Sequence, residues 1–211
     1  MNRKQILVTN DDGFESKGLI ALVEALKPLG HVSVVAPTTE KSACGHSLTL
    51  TRPLNFVEVE KDFYKLDDGT PTDCVFLALN KVFTKEKRPD IVISGINIGS
   101  NMGEDITYSG TASGAMEAVL QGIPGIAISQ VYRDHGRSID ELGYDLATKS
   151  IVTLVEKIFA NEFPLPPRRF LNINIPSIPA SECKGFKVTR AGNRLYAHHA
   201  EVHHNPRGKE Y

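Results

Sequence analysis

The sequence predicts an α/β fold, a doubly wound and mostly parallel β-sheet with helices on both faces in three layers. Short apolar runs such as Ile6, Leu7 and Val8 are typical of strands that are buried on both faces. The segments between such runs, for example residues 16–29, carry apolar residues at helical spacing. This strand–helix–strand alternation continues over about the first 130 residues, as expected for a parallel sheet.

The strands are predicted from apolar runs that end at a glycine, a proline or a polar turn. Pro37 stops the second run because proline has no N–H to donate to a neighbouring strand. The main strands are expected at residues 5–9, 31–36, 90–94, 126–129 and 170–175. Three shorter alternating runs, at residues 48–51, 55–59 and 63–66, predict small antiparallel pieces inserted beside the main sheet.

Helices are predicted where apolar residues recur at three- and four-residue spacing. The expected helices cover residues 16–29, 71–82, 111–121 and 138–160. The third is built largely of small residues and is closed by Gly122 and Pro124. From about Lys184 the pattern becomes polar and β-like, so we expect a core at residues 1–183 and a β-rich carboxyl-terminal arm or hairpin at residues 184–211.

Composition and charge exclude several classes of protein. The 211 residues are 41% hydrophobic, which suits one domain with a sizeable core, and the formal charge of −1 predicts no binding to nucleic-acid polymers or anionic membranes. No apolar run approaches the ~18 residues of a membrane span, and the run behind the amino terminus is too short for a signal peptide. Cys44, Cys74 and Cys183 lack CxxC spacing, which predicts reduced thiols in a cytoplasmic protein.

Two adjacent carboxylates, Asp11 and Asp12, follow the first predicted strand. Ligands of open α/β sheets bind outside the carboxyl ends of the strands. Two like charges at that position repel each other unless a cation or a proton compensates them, and a divalent cation with oxygen ligands is the simplest compensation. The alternative is that residues 10–13 form only a polar turn, whose aspartate caps the following helix.

A second polar segment, residues 94–101, follows the strand predicted at residues 90–94 and contains two glycines and two asparagines. Glycine and asparagine permit tight turns, so a backbone of this composition can follow the shape of a neighbouring group closely. The loop after the second strand, which holds Ser42 and His46, is expected at the same edge of the sheet. Hard oxygen ligands of this mixed kind suit Mg²⁺, Mn²⁺ or Ca²⁺ better than zinc.

Ser109, Gly110 and Thr111 lead into the helix of small residues. The amino end of a helix presents unpaired N–H groups and a partial positive charge, so this segment favours a phosphate group. Two familiar phosphate-binding devices are excluded. The chain has no G-x-x-x-x-G-K-[ST] loop, and the turn after the first strand is NDDGFESKG in place of G-x-G-x-x-G.

Each candidate residue also has an ordinary structural role open to it. Asn97 and Asn101 fit left-handed turn positions, and Ser109 fits a helix cap. A lone histidine in a loop, such as His46, is more often a surface residue than a catalyst. Adjacent residues of a β arm point to opposite faces, so exposed side chains are favoured over metal ligands for the four clustered histidines, His198, His199, His203 and His204.

The sequence resembles the SurE family, the stationary-phase survival proteins that act as metal-dependent 5′/3′-nucleotidases. The resemblance rests on ILVTNDDGFESKGL at residues 6–19, VVAPTTEKSACGHSLT at residues 34–49 and SGINIGSNMGEDITYSGTASGAMEA at residues 94–118. Weaker matches are TRAGNRLY at residues 189–196 and NPRGKEY at residues 205–211. Together these motifs span nearly the whole chain.

The resemblance implies a Rossmann-like core and an enzyme of the 5′-nucleotidase type that hydrolyses nucleoside 5′- and 3′-monophosphates to nucleoside and phosphate. It implies one divalent cation per subunit, Mg²⁺ or Mn²⁺ with Ca²⁺ possible in crystals. By motif position, the metal ligands are Asp11, Asp12, Ser42 and Asn97. The residues that line the phosphate pocket are Asn101, Ser109, Gly110 and Thr111.

We expect in-line attack on phosphorus by a water that the cation holds and activates. Asp11, Asp12 and Asn97 are the expected catalytic residues, with Asp12 a candidate acceptor for the proton of the water. His46 is a candidate substrate contact and acid for the leaving alkoxide. Two alternatives remain open. One is a haloacid-dehalogenase-type phosphatase that acts through a phospho-aspartate, a family that requires an Asp-x-Asp motif. The other is a non-catalytic nucleotide-binding module.

The resemblance also bears on assembly. The β-rich arm of the family is used in dimer contacts, so a homodimer or a dimer of dimers is expected. Chains of the family usually run some tens of residues further than Tyr211, so the arm is expected to be truncated relative to the family.

Overall fold

A central sheet of seven strands organises the computed structural model, which describes residues 3–134, 136–194 and 202–210. In the order of the sheet, the strands are β3 (Asn55–Glu60), β4 (Phe63–Asp67), β2 (His31–Pro37), β1 (Gln5–Thr9), β5 (Ile91–Ile98), β6 (Gly125–Gln130) and β9 (Phe170–Ile175). All neighbours pair in parallel except β3 and β4. Strands β7 (Arg133–Asp134) and β8 (Arg137–Ser138) form a separate short hairpin.

Helices cover both faces of the sheet. Helices α1 (Lys17–Leu26) and α6 (Asp145–Phe159) pack on one face, and α2 (Pro71–Lys81) and α4 (Gly110–Leu120) pack on the other. The alternation of side chains along a strand produces this division. Ile6 and Val8 of β1 contact the α1–α6 layer, whereas Leu7 contacts the α2–α4 layer. The predicted α/β class and the three-layer arrangement are therefore confirmed.

The antiparallel pieces differ from the prediction. Strands β3 and β4 form an antiparallel pair, but β4 also pairs in parallel with β2, so both belong to the main sheet. Leu66 of β4 is completely buried in the α2 layer, and this burial ties the hairpin to the core. Residues 48–51 form no strand.

Two elements near the sheet edge also differ. Strand β5 continues to Ile98, beyond the predicted end at Ser94, through an irregularity in its pairing with β6. The helix predicted at residues 138–160 is divided into α5 (Ile139–Leu142) and α6, because Gly143 adopts a positive φ of 61° that ends the first helical turn. A further short helix, α3 (Asp105–Tyr108), precedes α4.

The carboxyl-terminal region has little regular structure where it is described. Residues 184–194 contain no strand, and residues 202–210 contain one isolated antiparallel bridge between His204 and Glu210. In these segments the predicted β-rich character is limited to that bridge, and Val188 and Val202 are exposed with no second strand to cover them. The boundary between a core and an arm at residue 183 stays a prediction.

Two of the four clustered histidines belong to the residues that the structure describes. His198 and His199 lie outside the described residues. His203 and His204 are exposed, and His204 faces Glu210 at 3.3 Å. Among the helices within the described residues, none is long and apolar enough to span a membrane.

The packing of α1 gives a stability prediction. Leu22→Ala empties a completely buried position between α1 and the sheet, so the free energy of unfolding should fall by about 2–5 kcal/mol. Leu120→Ala is the matched control, since Leu120 is 47% exposed on α4, and it should cost less than about 1 kcal/mol. Urea denaturation checks both values. Equal losses for the two variants would contradict the assigned core.

Candidate metal and anion site

The polar segments that follow β1, β2 and β5 lie at one edge of the sheet. These three strands are parallel neighbours, so their carboxyl ends point the same way. Lys41 of the loop after β2 donates its backbone N–H to the Asp11 carbonyl at 2.7 Å. Ile98, the last residue of β5, donates its N–H to Asp12 Oδ2 at 3.3 Å. Three strand ends thus converge around the two aspartates.

Asp11 binds the amino end of α4. Its Oδ2 accepts the backbone N–H of Thr111 at 3.0 Å, and its Oδ1 accepts the Thr111 hydroxyl at 2.6 Å. The side chain is 4% exposed. Gly110 permits this approach, since a Cβ there would lie 2.8 Å from the Asp11 Cβ and 3.0 Å from Cys44 Sγ. Asp11 and the Gly110–Thr111 turn therefore form one unit.

The alternative of a simple capped turn at residues 10–13 accounts for Asn10 but not for the aspartates. Asn10 Nδ2 donates to the Gly13 carbonyl and to Ser16 Oγ, at 2.9 and 2.8 Å. Ser16 is the residue that caps α1. The side chain that stabilises the local turn is therefore that of Asn10. The Asp11 side chain instead contacts a helix one hundred residues later in the chain.

Burial dominates the electrostatics of the pair. It raises the pKa of Asp11 above its ordinary value, against the hydrogen bonds from Thr111 that lower it. Burial, and then the charge of Asp11, raise the pKa of Asp12 to about 7. The charge of Asp12 in turn contributes, after burial, to a Tyr144 pKa of about 12. No positive side chain among the described residues is a cause of either pKa shift, so the two raised pKa values follow from burial and from like charges.

Ser42 lies on the loop after β2, close to a third carboxylate that the sequence reasoning missed. Its hydroxyl donates to Glu40 Oε1 at 2.7 Å, and both residues are exposed. The charge of Glu40 contributes to the raised pKa of both aspartates, which places Glu40 near the pair. A glutamate two residues before Ser42 was a readable signal, but residues in such loops are usually solvated.

Asn97 lies near the end of β5, Asn101 lies three residues beyond it, and both are buried. Neither belongs to the described residues with positive φ, so the left-handed turn alternative is wrong for both. Asn97 Nδ2 donates to the Gly99 carbonyl at 2.8 Å. This bond leaves the Asn97 side-chain oxygen as the atom that could serve a cation.

Three residues on neighbouring strands hold Asn101, and the sequence reasoning missed all three. Its N–H donates to Asn174 Oδ1 at 2.8 Å, and its carbonyl accepts from Asn172 Nδ2 and Asn174 Nδ2 at 2.8 and 3.1 Å. Its side-chain Nδ2 donates to Ser129 Oγ at 2.8 Å. The alternating pattern FLNINI puts both β9 asparagines on one face, but it is also the pattern of any half-buried strand.

Ser109 and His46 have structural partners. Ser109 caps α4, with its Oγ accepting the Ala112 N–H at 3.0 Å. His46 Nε2 lies 3.0 Å from Glu117 Oε2, and Glu117 is 6% exposed. Glu117 follows Gly110 by seven residues, so this contact lies about 10 Å along α4 from its amino end. A role for His46 at the substrate stays a prediction.

The donor set fits a hard divalent cation. The described residues contain no group of three or more His, Cys, Asp or Glu side chains placed to hold a metal. A site here therefore depends on the buried Asp11–Asp12 pair together with amide and hydroxyl oxygens. Carboxylate and neutral oxygen ligands are those that Mg²⁺, Mn²⁺ and Ca²⁺ prefer.

The chain is similar to known proteins over nearly its whole length. The family model described as "Survival protein SurE" matches residues 6–198. The chain is 77% identical over 209 residues to a Sulfurovum sp. (strain NBC37-1) protein named "5′-nucleotidase SurE", covering 99% of this chain and 79% of that protein. It is 61% identical over 208 residues to the protein of the same name from Helicobacter hepaticus (strain ATCC 51449 / 3B1), covering 99% and 78%.

A solved structure is similar throughout. The crystal structure of the SurE protein from Aquifex aeolicus superposes with a TM-score of 0.84 at 47% sequence identity. The match covers 98% of this chain and 80% of the Aquifex chain. Sequence and fold comparisons thus indicate the same family.

The raised pKa of Asp12 predicts how stability depends on pH in the metal-free protein. An unfolded aspartate titrates near 3.8 and the folded Asp12 near 7, so the folded state binds more protons between these values. The free energy of unfolding should therefore fall as pH rises from about 4 to about 7. Asp12→Asn should show a flatter profile. Thermal melts in chelator at several pH values test this, and identical slopes in both proteins would contradict it.

Proposed function

The chain belongs to the SurE family, and from this premise we propose that it is a divalent-metal-dependent phosphomonoesterase that hydrolyses nucleoside 5′- and 3′-monophosphates to nucleoside and phosphate. The resemblance noted in the sequence is confirmed by the family match over residues 6–198. Two relatives with 77% and 61% identity carry the name 5′-nucleotidase. The 5′-nucleotidase class of the enzyme follows from these relatives.

One observation of the structure supports the reaction above the others. Asp11 and Asp12 lie unpaired by any described cation, and Asp11 is bonded to the amino end of a helix of eleven residues. Acidic side chains attract a metal ion, and free helical N–H groups attract an anion. A phosphate ester together with a divalent cation satisfies both requirements.

We propose Asp11, Asp12, Ser42 and Asn97 as the ligands of one divalent cation per subunit, Mg²⁺ or Mn²⁺. When bound, the cation would neutralise charge on the phosphate oxygens and supply an activated water near neutral pH. Asp12 is the carboxylate proposed to take up a proton, because fewer hydrogen bonds engage it than engage Asp11. Its carboxylate is held by a single hydrogen bond among the described residues, from Ile98.

The phosphate group is proposed to lie over the first turn of α4. The backbone N–H of Gly110 and the hydroxyl of Ser109 are donors at that turn, and Asn101 adds a side-chain amide from the segment that follows β5. Such donors stabilise the charge of a phosphoryl transition state when they are held in place before the reaction. The hydrogen bonds between Asn101 and residues of β6 and β9 supply that rigidity.

The two alternatives are not favoured. A haloacid-dehalogenase-type phosphatase requires an Asp-x-Asp motif, whereas Asp11 and Asp12 are adjacent in this chain. A non-catalytic nucleotide-binding module does not need a pair of buried acids beside an anion site, because the acids would repel the phosphate unless a metal ion bridged them.

Assembly as a homodimer or dimer of dimers and a cytoplasmic location remain part of the proposal. Apolar side chains at the rim of the site, including Ile98, Met102 and Tyr108, are partly exposed and would be covered by a second subunit. Light scattering with size-exclusion chromatography measures the assembly state directly.

The role of Asp11 gives the first test of the activity. Asp11→Asn removes a ligand charge while it keeps the size of the side chain, so metal-dependent phosphate release from nucleoside monophosphates should fall by at least 100-fold, with unchanged circular dichroism. Asp62→Asn is the control, since Asp62 precedes β4 at the opposite edge of the sheet. Full activity in Asp11→Asn, or turnover of the wild type in EDTA, would contradict the proposal.

The bonds to Asn101 give a second test. Asn174→Ala removes two of the three hydrogen bonds that fix the Asn101 backbone and leaves the one from Asn172. The kcat should fall by about 10- to 100-fold, because misplacement of a binding group by about 1 Å has effects of that size. Asn80→Ala is the control, since Asn80 is exposed on α2 and bonds only to its own helix. An unchanged kcat in a folded Asn174→Ala protein would contradict the proposal that Asn174 positions Asn101 for the reaction.

A further inference from the structure

A cavity of about 370 Å³ opens where β6 and β9 end. Its volume lies within the range typical of small-molecule sites. Five apolar residues form part of its wall: Leu142, Leu146, Ile178, Pro179 and Ala180. The polar part of the wall includes Gln130, Asp145 and Lys149, and the last two form an ion pair at 2.8 Å.

This cavity adjoins the metal and anion site. Gln130 is the register partner of Ile98 on the neighbouring strand, and its carbonyl accepts the Gly99 N–H at 2.8 Å. Ile98 is the residue whose N–H contacts the Asp12 carboxylate at 3.3 Å. One strand spacing, about 4.8 Å, therefore separates the backbone that contacts Asp12 from the cavity wall.

A second connection runs through the start of α6. Tyr144 stands between Gly143 and Asp145, which both belong to the cavity wall. The Tyr144 hydroxyl and the Ile96 carbonyl oxygen lie 3.3 and 2.0 Å from the position that a Cβ on Gly18 would take, so the hydroxyl lies beside β5. Tyr144 and Ile98 thus connect the cavity to the strand that contacts Asp12.

The wall matches the chemistry of a nucleoside. A nucleobase has flat apolar faces and a polar edge, and ribose carries hydroxyl groups that bond to both acids and bases. Apolar side chains suit the faces, and the Asp145–Lys149 pair suits the hydroxyls. Gln130 Nε2 already donates to the Gly143 carbonyl at 2.8 Å, whereas its buried Oε1 has no partner among the described residues.

We infer that this cavity is the subsite for the nucleoside part of the substrate, with the base against Leu142, Leu146 and Ile178 and the phosphate held across Asp12 at the first turn of α4. This inference rests on the proposed hydrolysis of nucleoside monophosphates. It names the surface of the chain that distinguishes a nucleotide from a simple phosphate ester.

Filling the cavity tests the assignment. Ala180→Trp places an indole in the wall, and Ala180→Leu is a smaller filling that the fold tolerates more easily. The measured quantity is kcat/KM for AMP and UMP, divided by kcat/KM for methyl phosphate, which has an alkyl leaving group but no nucleoside. This ratio should fall at least tenfold in Ala180→Trp and by a smaller factor in Ala180→Leu. Adenosine should inhibit the wild type competitively and Ala180→Trp at least tenfold more weakly.

Ala160→Trp is the matched control, because Ala160 is exposed beyond the far end of α6. It should leave the ratio within twofold of the wild type. A ratio in folded Ala180→Trp and Ala180→Leu that equals the control would overturn the subsite, even with nucleotide hydrolysis intact. Absence of phosphate release from every substrate by the metal-loaded wild type would instead overturn the proposed function itself.

Discussion

The contact between Asp11 and the first turn of α4 is the constraint on which the site depends. A carboxylate that accepts both the N–H and the hydroxyl of Thr111 is oriented in two directions and buried at the same time. Burial makes its negative charge costly, and the adjacent Asp12 carries the same cost. The two buried carboxylates therefore favour a bound cation, and they lie next to a helix end that favours a bound anion. A divalent cation and a phosphate ester meet these two demands together.

This contact explains why α4 is made of small residues. The helix must approach the sheet closely for Thr111 to reach Asp11, and larger side chains would hold it away. A Cβ on Gly114 would lie 2.9 Å from Ser94 Oγ and from Thr9 Cγ2. On the sheet side, a Cβ on Gly125 would lie 2.4 Å from the Ala115 carbonyl oxygen. The composition that is weakly informative in the sequence is thus a packing requirement of the site.

Elements with a local signal were predictable, and those set by distant contacts were not. Strand β9 has the predicted bounds, and α2 matches within one residue, because alternation and the Thr70–Asp73 capping box act within a few residues. The place of β4 in the main sheet depends on its parallel pairing with β2, which no local pattern encodes. The division of the last long helix at Gly143 was within reach, since a glycine in a helical pattern often marks a helix end.

The candidate site shows the same contrast. Adjacent acids after a buried strand predict Asp11 and Asp12 at the sheet edge, because parallel strands bring their carboxyl ends together. Nothing local indicates that Thr111 binds Asp11, or that Asn172 and Asn174 hold Asn101, since these partners are 71 to 100 residues apart. His46 differs from the two aspartates: it also belongs to a sequence motif, but it lies against Glu117 on the side of α4.

Calorimetric titration of inorganic phosphate into the protein, with and without Mn²⁺, tests the central claim most directly. If the acids and the α4 end form one site, phosphate should bind with one site per chain in Mn²⁺ and at least tenfold more weakly in EDTA, where the two carboxylates repel it. Equal phosphate affinity in both conditions would contradict a shared cation and anion site.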